Sequence, residues 1–168
     1  MSITKHLTDL TDVLLQNVEL YQAMSRELEL EREAYKTRSL VNIDALLKRK
    51  ESLVFRLKSL EKARASIMEK LSQATGVPEA ALTYGHLLEF ASEPLEERLI
   101  SVRQRLREVI ARADELNSFN RDLVGRLIKI NYEAAAHLKR LIEPDETYRL
   151  NGRREPVFRP GRVVRQTL

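Results

Sequence analysis

Few side chains in this 168-residue sequence have both the type and the spacing to make or break bonds. There is no cysteine, which removes disulfides, thiolate nucleophiles and sulfur-ligated metals and fits a reducing compartment. His6, His86 and His137 have no second histidine or carboxylate at metal-ligand spacing. No phosphate loop, dinucleotide fingerprint or nucleophile elbow occurs, and the many acids fall on the wet faces of amphipathic stretches. The expectation is no catalytic, cofactor or metal site. What remains is non-covalent recognition by amides and apolar side chains at helical spacing, concentrated in Asn117, Asn120, Val124, Leu127, Ile128 and Asn131. Val124 and Ile128 stand one turn apart, and Asn117 and Asn131 continue their face.

The element that must position these residues runs from Ser92 to Leu141. Ser92-Glu93-Pro94 starts a helix with a capping hydroxyl, a first-turn acid and a proline whose missing N–H costs little there. Apolar or small residues then recur at alternating spacings of four and three: Leu95, Leu99, Val102, Leu106, Val109, Ala113, Leu116, Asn120, Leu123, Leu127, Ile130, Ala134, His137 and Leu141. This is a coiled-coil seam with one asparagine in it, a residue that lowers stability but discriminates register. At 1.5 Å per residue the helix would run about 70 Å, so other helices must cover its stripe. Val124, Ile128, Ala135, Leu138 and Ile142 lie outside the seam. Part of that broadening is the drift of a straight helix, about 20° per heptad, and the remainder suits a docking groove. Gly125, mid-helix, costs about 1 kcal/mol against alanine and would admit a second backbone closely.

Two further seams precede this one. The first runs through Ile3, Leu7, Leu10, Leu14, Asn17, Tyr21, Met24, Leu28, Glu31 and Tyr35; the second runs through Leu46, Lys50, Leu53, Leu57, Leu60, Arg64, Ile67 and Leu71. Their phase breaks near residues 39–44, where Asn42 is a candidate N-cap. Thr75-Gly76-Val77-Pro78 closes the second helix with a glycine C-cap and a proline. Lys50 and Arg64 allow two readings: long stems lying over apolar surface with the charges in water, or one of them paired with Glu31 to set the register of the first two helices. Residues 78–91 form a short connecting helix, with Leu82, Leu87, Leu88 and Phe90 packing down and Gly85 weakening it.

The spacing therefore predicts an all-α fold: an elongated antiparallel bundle or coiled coil of three long helices over 3–38, 44–74 and 93–142. Residues 1–143 form the bundle, and 144–168 form a flexible basic tail with few aliphatics and too little apolar surface to offset ordering entropy. The hydrophobic fraction of 43% and charged fraction of 32% must separate onto opposite helix faces. Of the net charge of +4, the tail carries +3 through six arginines against three acids. The bundle, with 23 basic and 22 acidic side chains, is no nucleic-acid cradle. No apolar run of about 18 residues and no signal-peptide core is present, so a soluble cytoplasmic protein without stable membrane insertion is expected.

Three long helices, the Asn117-x-x-Asn120 step, Asp44-x-x-Leu47-x-x-Lys50-x-x-Leu53, then Leu57 and Leu60 ahead of Arg64, and Tyr148-x-x-x-Gly152 resemble the FlgN-type flagellar export chaperones. The likeness covers roughly residues 7–152. It implies a bacterial, non-enzymatic cytoplasmic protein that holds an amphipathic helical segment of the hook-associated subunits and delivers it to the gate of the flagellar type III export apparatus. The C-terminal region is implied to grip cargo, which adds Tyr148, Asn151 and Gly152 to the six candidate binding residues above. The arginine-rich end, Arg153 to Arg165, is longer and more basic than that pattern requires. A self-associating coiled-coil scaffold, as a homodimer for instance, is the alternative reading of the same heptads.

Overall fold

The computed structural model of this chain describes residues 3–37, 43–142, 147–148 and 154–155. α1 spans Ile3–Lys36 and α2 spans Ile43–Thr75. A single 3-10 turn at Glu79–Ala81 and the short α3, Tyr84–Glu89, lead to α4, Glu93–Ile142, which is unbroken over 50 residues. Each long helix begins and ends within two residues of the bounds predicted from periodicity. One element lies outside the heptad pattern: Thr147–Tyr148 (β1) pairs antiparallel with Arg154–Glu155 (β2), Thr147 opposite Glu155 and Tyr148 opposite Arg154.

Local chemistry explains the ends. α2 stops where Gly76 takes φ of 74°, a left-handed conformation that side chains disfavour, and its N–H reaches the Ser72 carbonyl at 2.9 Å. The Ser72 hydroxyl then donates to the Val77 carbonyl at 2.7 Å, fixing the chain ahead of Pro78. The connecting segment is not one helix over 78–91. Thr83 adopts an extended conformation and interrupts it, then caps α3 reciprocally with His86. The Thr83 hydroxyl accepts from the His86 N–H, while His86 Nδ1 accepts from the Thr83 N–H. Leu82 and Leu87 are buried as expected, whereas Phe90 is exposed. α4 begins at Ser92, whose carbonyl accepts from the N–H groups of Leu95 and Glu96, each at 2.8 Å. Asn42, the candidate cap of α2, lies outside the described residues.

The chain divides into two compact units, residues 1–123 and 124–168. In the first, α1 and α2 pack as an antiparallel pair, with Glu27 meeting Arg49 at one end and Leu7 and Leu10 meeting Leu71 at the other. α4 runs parallel to α1, because Asp12 meets Arg98 and Glu29 meets Arg112. The bundle is therefore up-down-up. One apolar cluster gathers Leu7, Leu10, Leu71, Leu82, Leu87, Leu95 and Leu99; the other gathers Leu20, Met24, Leu28, Leu53, Ala113 and Leu116. Fully burying a leucine of this kind contributes about 1.5–3 kcal/mol, so these clusters supply most of the cohesion of the unit. Between them the seam is only half-covered: Leu14, Leu57 and Leu106 hold seam positions yet keep partial exposure.

In the second unit, α4 continues to Ile142 and β1 pairs with β2. Val124 and Leu127 are half-buried, while Ile128, Ile130 and Leu138 are exposed. The seam predicted to stay buried through Ile130, Ala134 and His137 is open in the structure. Heptad spacing places an apolar stripe on a helix but does not supply the surface that covers it.

Candidate functional site

A polar cluster crosses the first unit where the apolar core ends. Glu31 occupies an interior position of α1 at 5% exposure and accepts four hydrogen bonds. Lys50 Nζ of α2 donates to both of its carboxylate oxygens at 2.9 Å, the Tyr35 hydroxyl donates to Oε1 at 3.0 Å, and Asn120 Nδ2 of α4 donates to Oε2 at 2.9 Å. Asn120 Nδ2 also reaches the Leu28 carbonyl at 2.8 Å. All three long helices thus converge on one carboxylate. Of the two readings of the seam cations, Lys50 follows the pairing with Glu31. Arg64 instead turns along its own helix to Glu61 at 2.6 Å.

The electrostatics follow from that geometry. Burial opposes ionisation of Glu31, but hydrogen bonds from Lys50 and Asn120, together with the Lys50 charge, outweigh it and hold the carboxyl below its usual range. The same burial, with the carboxylate beside it, pushes the Tyr35 phenol up to about 12. At neutral pH the cluster is a carboxylate with an ammonium and two neutral donors. It can fix register among helices. Among the described residues, no group of three or more His, Cys, Asp or Glu is placed to hold a metal.

The structure separates the predicted binding residues. Asn120 is 3% exposed and engaged on α1, so it belongs to the packed interior and is inaccessible to a partner. Asn117 lies on α4 in the first unit with its side chain exposed. In the second unit Val124, Ile128 and Asn131 share one face of α4, with Leu127 beside them. Ile128 is 64% exposed. Tyr148 sits in β1 opposite Arg154, while Asn151 and Gly152 lie outside the described residues. Gly125 faces open space, with nothing within 4 Å of where a Cβ would stand. Sequence reasoning passed over Tyr132, which is 75% exposed and extends the Val124–Ile128 row by one more turn. The signal was present: an aromatic at the next interval of four.

Among the described residues, no helix is long and apolar enough to cross a membrane. Comparison with family models matches residues 1–156 to the FlgN protein family. Neither the curated proteins nor the solved structures contain a match.

Proposed function

This chain belongs to the FlgN family of flagellar export chaperones, and on that premise we propose that it binds hook-associated subunits in the cytoplasm and delivers them to the flagellar export gate. The observation that carries the reading is the open apolar row of α4, Val124, Ile128 and Tyr132 at intervals of four, flanked by Leu127 and Asn131. Contiguous exposed apolar side chains at helical spacing suit an amphipathic helix laid against them, which is how a subunit terminus prone to aggregation would be shielded. Asn117, Tyr148, Asn151 and Gly152 are further candidates for cargo binding. Asn120 serves it indirectly, by holding α4 in register. Residues 144–168 act as a separate basic tail that meets cargo, gate or both. Binding of this kind has no covalent step.

The test is Val124→Asp with Ile128→Asp in one chain. Both positions retain solvent access, so helical content and melting temperature should stay close to the parent while affinity for purified hook-associated subunits falls at least tenfold. Unchanged affinity would remove the assignment. If the parent alone measures as a dimer and the double variant as a monomer, the scaffold reading takes its place.

A further inference from the structure

We propose that the first unit carries a second docking site, a groove between α2 and α4 that receives an amphipathic helix with acidic flanks. The starting observation is the gap between the two apolar clusters. There a cleft of about 410 Å³ opens, floored by Leu14, Asn17 and Tyr21 of α1 and walled by Leu57 of α2 and by Leu106 and Ile110 of α4. Leu14, Tyr21, Leu57 and Leu106 occupy seam positions, where a bundle ordinarily buries its side chains, yet each remains only half-covered. The seam is buried at both ends and thins between them, where Asn17 and Val18 stay buried but the side chains beside them keep partial exposure.

The groove has the reach of a helix. Apolar side chains continue along α2 from Leu57 to Val54 and Leu47, which are 41% and 42% exposed. Leu47 to Glu61, the latter at the cleft's edge, covers four turns, about 21 Å along the axis. An antiparallel helix pair with an apolar trough between its members is completed by a further helix, giving a four-helix arrangement.

Charge selects the occupant. Of the charged side chains that line the cleft, Glu61 is taken by Arg64, which leaves Lys58; Arg103, Arg107 and Glu108 line the neighbouring surface of α4, where the neutral Gln104 amide leaves the Glu108 charge in place. Lys58 and Arg107 are exposed and have no ion-pair partner among the described residues, and the Arg103 guanidinium lies 4.1 Å from the Tyr84 ring centroid. Arg103 and Arg107 stand one turn before Leu106 and Ile110, on the solvent side of the same wall. Three cations, Lys58, Arg103 and Arg107, against Glu108 and Asp114 leave the surround of the cleft net positive. This chain's own residues 144–168, with six arginines against three acids, would be repelled, and a second copy of residues 1–143 offers near-balanced signs. An apolar helix edged with Glu or Asp fits both the trough and its rim.

The test uses the full chain and a labelled 21-residue helical probe with leucines at seam spacing and glutamates on both flanks. The expected result is saturable binding, at least tenfold tighter than a lysine-flanked copy of the probe and weakening as salt rises. Lys58→Glu with Arg107→Glu changes two exposed side chains, leaves the fold intact and should reverse the preference between the two probes. Val124→Asp with Ile128→Asp should leave probe binding unchanged, which separates this groove from the α4 row. No binding of the glutamate probe, equal binding of the two probes, no response to rim reversal, or loss of binding in the α4 variant would each overturn the proposal.

Discussion

Replacing Lys50 with methionine isolates the carboxylate at the meeting point of the three long helices. Methionine keeps the volume and length of the lysine stem but removes both 2.9 Å contacts to Glu31. Glu31, 5% exposed, would keep only the Tyr35 and Asn120 donors. Stranding one member of a buried pair costs about 3–5 kcal/mol in general; with two donors surviving, the loss here should be about 2–3 kcal/mol. Urea denaturation at pH 7 reads it as a lower midpoint with an unchanged slope. Replacing Glu31 with methionine as well should recover at least half, because the uncompensated charge goes with it. The pH profile adds an independent check. The folded carboxyl lies below its usual 4.5, so the unfolded chain takes up the proton first as acid is added. The stability it contributes is full above that value and drains away as pH falls through the folded one. Lys50→Met raises the folded value towards 4.5, so this acid loss should be smaller and end at a higher pH while its onset stays put, and Glu31→Gln should flatten this part of the profile. A Lys50→Met penalty under 0.5 kcal/mol, or an acid limb that does not shrink, would refute the claim that this contact organises the bundle.

Two further predictions concern the rest of the chain. Leu99→Ala, at a fully buried position, should cost about 2–5 kcal/mol, while Leu106→Ala, beside the cleft, should cost about 1–2; equal losses in denaturant titrations would contradict the half-covered seam. Gly76→Ala should destabilise by about 1–2 kcal/mol because φ there is 74°, whereas Gly125→Ala, in open helical surface, should stabilise by up to about 1, both read as shifts in melting temperature.

The long helices were legible because their signals are local. Ser92-Glu93-Pro94 and Gly76-Val77-Pro78 are chemical statements about chain ends that need no tertiary partner, and α4 starts and α2 stops there. The partner of each polar seam residue was not legible. Lys50 and Arg64 hold equivalent seam positions on one helix, and only the offset between α1 and α2 decides that Lys50 meets Glu31 while Arg64 turns to Glu61. Asn120 was visible as a polar interruption, but its burial depends on α1 lying parallel to α4, with 92 residues separating it from Leu28. The row beyond Asn120 carries the same heptad as the row before it. Periodicity alone could not tell the open half from the covered one.

The exposed half of α4 has a thermodynamic consequence. Among its local supports from residue 124 to 140 are a Lys129–Glu133 pair at 3.9 Å and an Arg140 contact to the Ala136 carbonyl, each worth only a few tenths of a kcal/mol. A free peptide of that length would be marginally helical in water, but here the nucleating turns belong to the packed half of the same helix, so elongation alone remains to be met. A ligand on this stretch therefore gains a preformed surface at little ordering cost. When it departs, it leaves behind no exposed core, and the dissociation rate is governed by the interface itself, independently of global unfolding.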